Sequence, residues 1–148
     1  MIEAVKAIIY RSDGRILLQQ RDYTFGILFP GTWTCFGGQV ETGEDLKNAL
    51  LRELDEELGC VPGQLGDELF QWMWHGKNPA QHYYFPVFCE VDDDALVLNE
   101  GLAMSWFSFD KLQDIILGPD VSANLQKIAH FVERSLKDRI DLRQPECG

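Results

Sequence analysis

The chain has 148 residues, 45% of them apolar, and a formal charge of −11 from 13 basic and 24 acidic side chains. That length suits one domain with a real core, and the composition excludes disordered, collagen-like or linker-like sequence. A pI near 4.5 argues against a general nucleic-acid binder and against docking on anionic membranes. An acidic protein that handles phosphate needs something to screen the repulsion, and a divalent metal is the usual answer.

In chain order, residues 5–10 are rich in β-branched side chains and predict a strand, Ser12-Asp13-Gly14 a turn, and residues 15–20 the return strand of a hairpin. Residues 21–32 hold Gly26, Pro30 and Gly31 and read as a loop; residues 33–36 form a short strand that ends at Gly37-Gly38. Residues 45–58 form a strong helix stopped by Gly59. Residues 69–75 alternate, with Phe70, Trp72 and Trp74 on one face, and pair through a turn at 76–80 with a strand over 82–91. Asp92-Asp93-Asp94 is a solvated turn, 104–107 a short strand and 109–115 a short helix, with Gly118-Pro119-Asp120 breaking it. A final helix over about 121–140 carries Val121, Leu125, Ile128, Phe131, Val132, Leu136 and Ile140 at three/four spacing, a core-facing stripe. The class is α/β, an α/β/α sandwich around a mixed sheet in a single domain over 1–148. The N-terminus has neither a basic leader nor a membrane-length apolar run, so the expected compartment is the cytoplasm. Cys35, Cys60, Cys89 and Cys147 form no CxxC; the first three suit a core, whereas Cys147 sits in a polar tail and is expected to be exposed. His75, His82 and His130 lack metal-site spacing.

The helix at 45–58 carries Glu53, Glu56 and Glu57 on one face. Leu50, Leu54 and Leu58 form its buried stripe, and Asn48, Arg52 and Asp55 point roughly away from it. The glutamates lie beside that stripe, with Glu57 close to Leu50 in angle. Like charges at this spacing disfavour a helix, and a core edge adds desolvation cost. A divalent cation held by oxygens would compensate; a solvated acidic face is the competing reading. Gly37-Gly38 allows close backbone approach, and Arg52 can reach Glu44 or a neighbouring glutamate and fix its rotamer.

Residues 38–60 read GQVETGEDLKNALLRELDEELGC. This resembles the Nudix box, G-x₅-E-x₇-R-E-U-x-E-E-x-G-U, with matches at Gly38, Glu44, Arg52, Glu53, Leu54, Glu56, Glu57 and Gly59 and a departure at Cys60, where a bulky aliphatic is usual. The hairpin before the box, the FPGTWTCFGG entry and EGLAMSWFSFDKL after it also look like that family, and the chain resembles its MutT-like members. The resemblance implies hydrolysis of a diphosphate linked to another moiety, with Mg²⁺ or Mn²⁺ as cofactor. It implies metal ligation by Glu53, Glu56, Glu57, the backbone of Gly37 or Gly38, and Glu100. It implies a catalytic set of Glu53, Glu56, Glu57, Arg52 and Glu100, with the general base unassigned among the glutamates. Gly38, Glu44 and Gly59 are implied as structural members of the motif. Arg21 resembles a phosphate-contacting position and Asn124 a base-reading one; a surface ion pair and a helix cap are the competing readings for these two.

The expected substrate is a (deoxy)nucleoside triphosphate, split to pyrophosphate and a monophosphate. Alternatives are a nucleotide sugar, ADP-ribose or a dinucleoside polyphosphate, because the box holds the diphosphate and not the leaving moiety. A non-catalytic ligand sensor is more remote, since such proteins usually lose box glutamates. The expected partner is a small nucleotide, with no nucleic-acid duplex and no membrane, for a monomer or homodimer.

Overall fold

The computed structural model describes the backbone of residues 1–23 and 28–143. Gly26 and Cys147, as well as the Ile140 side chain, lie outside the described residues.

The central strand β1 (Ile2–Tyr10) is buried on both faces from Ala4 onward, so its sequence is apolar almost without alternation. It pairs in parallel with β6 (Ala80–Phe88) along its whole length, from Ile2 opposite Ala80 to Tyr10 opposite Phe88. On its other side it meets two partners in turn, β4 (Phe36–Gln39) from Ala4 to Ala7 and β2 (Ile16–Gln20) at Tyr10. β2 lies between β3 (Trp33–Thr34) and β7 (Ala103–Phe107), and β5 (Phe70–Trp74) closes the far edge against β6. The result is one mixed seven-stranded sheet.

Strand parity divides the core. Val5, Ala7 and Ile9 pack with Phe85, Val87 and the Leu50, Leu54 and Leu58 stripe of α1 (Leu46–Leu58) on one face. Ile8 and Tyr10 pack with Tyr84, Ile128 and Val132 on the other, beneath α3 (Leu125–Arg143). The sandwich is the expected one.

Three expectations are corrected. The strand over 33–36 splits, because the Cys35 amide donates to Asp120 Oδ2 at 3.0 Å instead of joining a ladder. The strand then runs through the glycine pair instead of ending there. Gly37 has φ +145°, and a Cβ on it would lie 1.9 Å from the Val5 carbonyl oxygen, so only glycine lets β4 lie this close to β1. The Gly118-Pro119-Asp120 segment opens a short helix, α2 (Pro119–Ser122), with Pro at its start, and the chain kinks at Ala123-Asn124 before α3. Among the described residues no helix is long and apolar enough to cross a membrane.

Candidate active site

α1 begins at Asp45, whose Oδ1 accepts from the Asn48 amide at 2.8 Å, and ends at Gly59 in the left-handed region with φ +75°. These caps fix the register that distributes the acids. Glu57 turns inward and is only 2% exposed. Its Oε2 accepts from Gln19 Nε2 at 2.8 Å, and its Oε1 from the Gly37 amide at 3.0 Å. Burial outweighs those bonds and the nearby Lys6 charge, and raises the carboxyl to about 7. Glu53 is half-buried and also raised, first by burial and then by the charges of Glu56 and Glu100 against the opposing pull of Arg52. Glu56 stands outward, its side chain 52% exposed.

Arg52 does not point away from this face. Its Nε and Nη2 bind both carboxylate oxygens of Glu44 at 2.9 Å, Nη1 reaches Glu53 Oε1 at 2.9 Å, and Nη2 also donates to the Gln39 carbonyl at 3.2 Å. This fork clamps the loop before α1 to the helix and holds Glu44 down to about 2. Gly38 presses against the Glu53 carboxyl: a Cβ there would sit 2.4 Å from Glu53 Cδ.

Glu100 is brought to this place by the end of α1. The Asn99 amide donates to the Glu57 carbonyl at 2.9 Å, and Asn99 Nδ2 to the Glu56 carbonyl at 3.0 Å. Glu57, Glu100, Gln19, Gly37, Lys6 and Arg21 line one cavity of about 150 Å³. Its acidic donors are all oxygens, the set that suits a hard divalent cation, and the buried Glu57 charge calls for such compensation. Among the described residues no three acidic, histidine or cysteine side chains converge as a ligand set, since Glu53 is turned to Arg52 and Glu57 to Gln19 and Gly37.

A second, apolar cavity of about 130 Å³ adjoins it and shares Lys6 and Arg21. Its walls include Phe29, Trp72 and Trp74, and its polar lining includes Thr34, His82 and Asp120. Phe29, held at φ +53°, meets Trp74 edge-on at 5.1 Å. His82 donates from Nδ1 to the Ala80 carbonyl at 3.1 Å, and burial first, then Lys6, pushes its pKa down.

Of the two residues expected to touch substrate, Arg21 lines both cavities, with Nε donating to the Leu28 carbonyl at 2.7 Å. Asn124 lies behind the cavity wall. It is 2% exposed, and its Nδ2 donates to Tyr84 Oη at 3.2 Å and to the Asp120 carbonyl at 3.0 Å. Lys6, Gln19, Thr34 and Asp120 were not foreseen. Lys6 carried a usable signal, a single cation in a stretch otherwise apolar from Ala4 to Tyr10; Asp120 had none, because its partners Thr34 and Cys35 are distant in sequence.

A sheet with helices on both faces, carrying a glutamate-rich helix beside an aromatic-walled cavity, defines a class of small α/β domains with an acid-lined ligand site. The NUDIX domain model matches residues 2–129, and the chain belongs to that family. It is similar to the CTP pyrophosphohydrolase of Escherichia coli K12, 52% identical over a stretch covering 63% of this chain and 78% of that protein. It is also similar to the oxidized purine nucleoside triphosphate hydrolase of Danio rerio, 48% identical with 71% and 65% covered. A crystal structure of a MutT protein from Methanosarcina mazei Go1 superposes with a TM-score of 0.71 at 25% identity, covering 90% of this chain and 94% of that one.

Proposed function

We propose that the protein is a divalent-metal-dependent nucleoside triphosphate pyrophosphohydrolase, acting as one unit over 1–148, with Mg²⁺ or Mn²⁺ as the working ion. The observation that carries this reading is Glu57: a carboxyl 2% exposed, on the same helix face as Glu53 and Glu56, in a cavity that shares a wall with an aromatic slot. The first cavity suits a metal-bound diphosphate and the second a flat heterocycle. The two named relatives differ in base but share the nucleoside triphosphate, which supports that substrate over a nucleotide sugar.

Glu53, Glu56, Glu57 and Glu100, with the Gly37 or Gly38 backbone, would hold the metal. The ion supplies charge neutralisation on non-bridging phosphate oxygens and a water of lowered pKa. Around it Gln19 and the Gly37 amide orient Glu57, Arg52 holds Glu53, and a glutamate of raised pKa accepts the proton of the attacking water. Arg21, on the wall between the cavities, suits a phosphate oxygen.

The test is a hydrolysis panel with Mg²⁺ and product identification, run on the wild type and Glu57→Gln. Pyrophosphate and a monophosphate should appear, and kcat should fall by about 100-fold or more in the variant. Undiminished turnover in Glu57→Gln, or no hydrolysis of any diphosphate-linked compound, refutes the proposal. Sugar phosphate plus mononucleotide as the sole products would move the substrate to a nucleotide sugar.

A further inference from the structure

The sheet ends on one side at β5, and among the described residues no strand pairs beyond it. On β6 the Tyr84 carbonyl accepts from the Leu69 amide at 2.8 Å and the Pro86 carbonyl from the Gly66 amide at 3.0 Å, whereas the Cys89 amide turns the other way, to Tyr10. Backbone groups alternate along a strand, so the even residues of β6 face β5. Through the register of Phe70 with Tyr84 and Trp72 with His82, the even residues of β5 face back. Gln71 and Met73 therefore turn their amides and carbonyls outward, where no partner among the described residues meets them. Folded proteins ordinarily blunt such an edge with Lys, Pro or an inward charge. Here residues 69–76 carry no charged side chain, in a chain of net charge −11.

We propose that β5 seats a second copy of this chain, paired antiparallel, strand to strand, about a twofold axis at Trp72. In that register Gln71 lies opposite Met73 of the second copy, and the two exchange amide and carbonyl in both directions. The strand is its own complement. The same register runs the turn that carries Lys77 toward Asp67 of the second copy, base against acid. The Asp67 side chain is 99% exposed with Oδ1 engaged by Lys47, and Lys77 makes no ion pair among the described residues. The other edge strand, β7, is also uncharged. The Leu102 amide donates to the Gln20 carbonyl and Ala103 pairs with Gln20, so Met104 and Trp106 face outward there. An axis at Ser105, however, sets Glu100 against Asp110 of the second copy, acid against acid. Of these two edges, β5 is the one that admits a molecule of like charge. Trp72 lines the apolar cavity, so the pairing sets the two cavities of the dimer side by side on one face of a continuous sheet.

One added strand pair is a small contact, so the dimer should dissociate with a Kd of about 1–100 µM. Sedimentation velocity on the full chain, from about 1 to about 500 µM, should show the mass rising from one chain toward two. Over the same range the Gln71 and Met73 amides should gain protection from hydrogen exchange, while Met104 and Trp106 should not. Met73→Pro removes an outward N–H that β6 does not use, and should weaken the dimer by about tenfold or more. Should that variant fail to fold, as judged by far-ultraviolet dichroism, Met73→Lys decides in its place, because it keeps the backbone donor and charges the edge. A single-chain mass at every concentration overturns the proposal. So does a dimer of undiminished strength in the folded variant, or protection that rises at Met104 and Trp106 instead of Gln71 and Met73. None of these measurements passes through hydrolysis, so the pyrophosphohydrolase reading stands or falls separately.

Discussion

Glu57 places a titratable carboxyl where the unfolded chain would leave it in water. Its folded value near 7 lies above the ordinary 4.5, so between those values the native chain holds a proton that the unfolded chain gives up. The stability from this group is fully present below about 4.5 and is lost as the pH rises through about 7. In chelator, the melting temperature should fall from about pH 5 to about pH 7.5, and Glu57→Gln should flatten that slope. A melting temperature that climbs across the same range in the wild type would contradict the burial argument. At this scale the box residues were legible, because the spacing of charges on a helix fixes which face they share. Gln19 and Asp120 were not, because their roles come from partners brought together only by the sheet and α2.

At the scale of the element, β4 and α1 depend on glycines for different reasons. Gly37 faces the Val5 carbonyl, whereas a Cβ on Gly43, at φ +81°, meets nothing within 4 Å. Gly37→Ala should therefore cost about 2–3 kcal/mol and loosen the β1–β4 pairing, against about 1 kcal/mol for Gly43→Ala. Urea midpoints for the two variants check the contrast, and similar losses would argue against the close approach. The bounds of α1 were readable from Asp45 and Gly59, since caps are local chemistry. The split of β3 from β4 and the kink before α3 were not, because long-range hydrogen bonds from Cys35 and Asn124 produce them.

For the whole molecule, one sheet sealed on both faces implies a single cooperative unit. Leu54→Ala, beneath α1, and Ile128→Ala, beneath α3, each remove a side chain of 0% exposure and should each cost about 2–5 kcal/mol. Both should shift one unfolding transition, seen alike by tryptophan fluorescence and far-ultraviolet dichroism. Two separated transitions in either variant would mean that the layers fold independently. The layering was legible from periodicity in α1 and α3. The order of strands was not, because pairing partners leave no local trace. The pairing of β1 with β4 has one more consequence. Lys6 sits opposite Gly37 in that ladder, and the Gly37 amide holds Glu57, so a residue of the apolar cavity and the carboxylate of the acid-lined one are joined through a single rung. The rung works as a gauge block: neither cavity can drift relative to the other, and any ligand that spans both must match a separation that the backbone has already set.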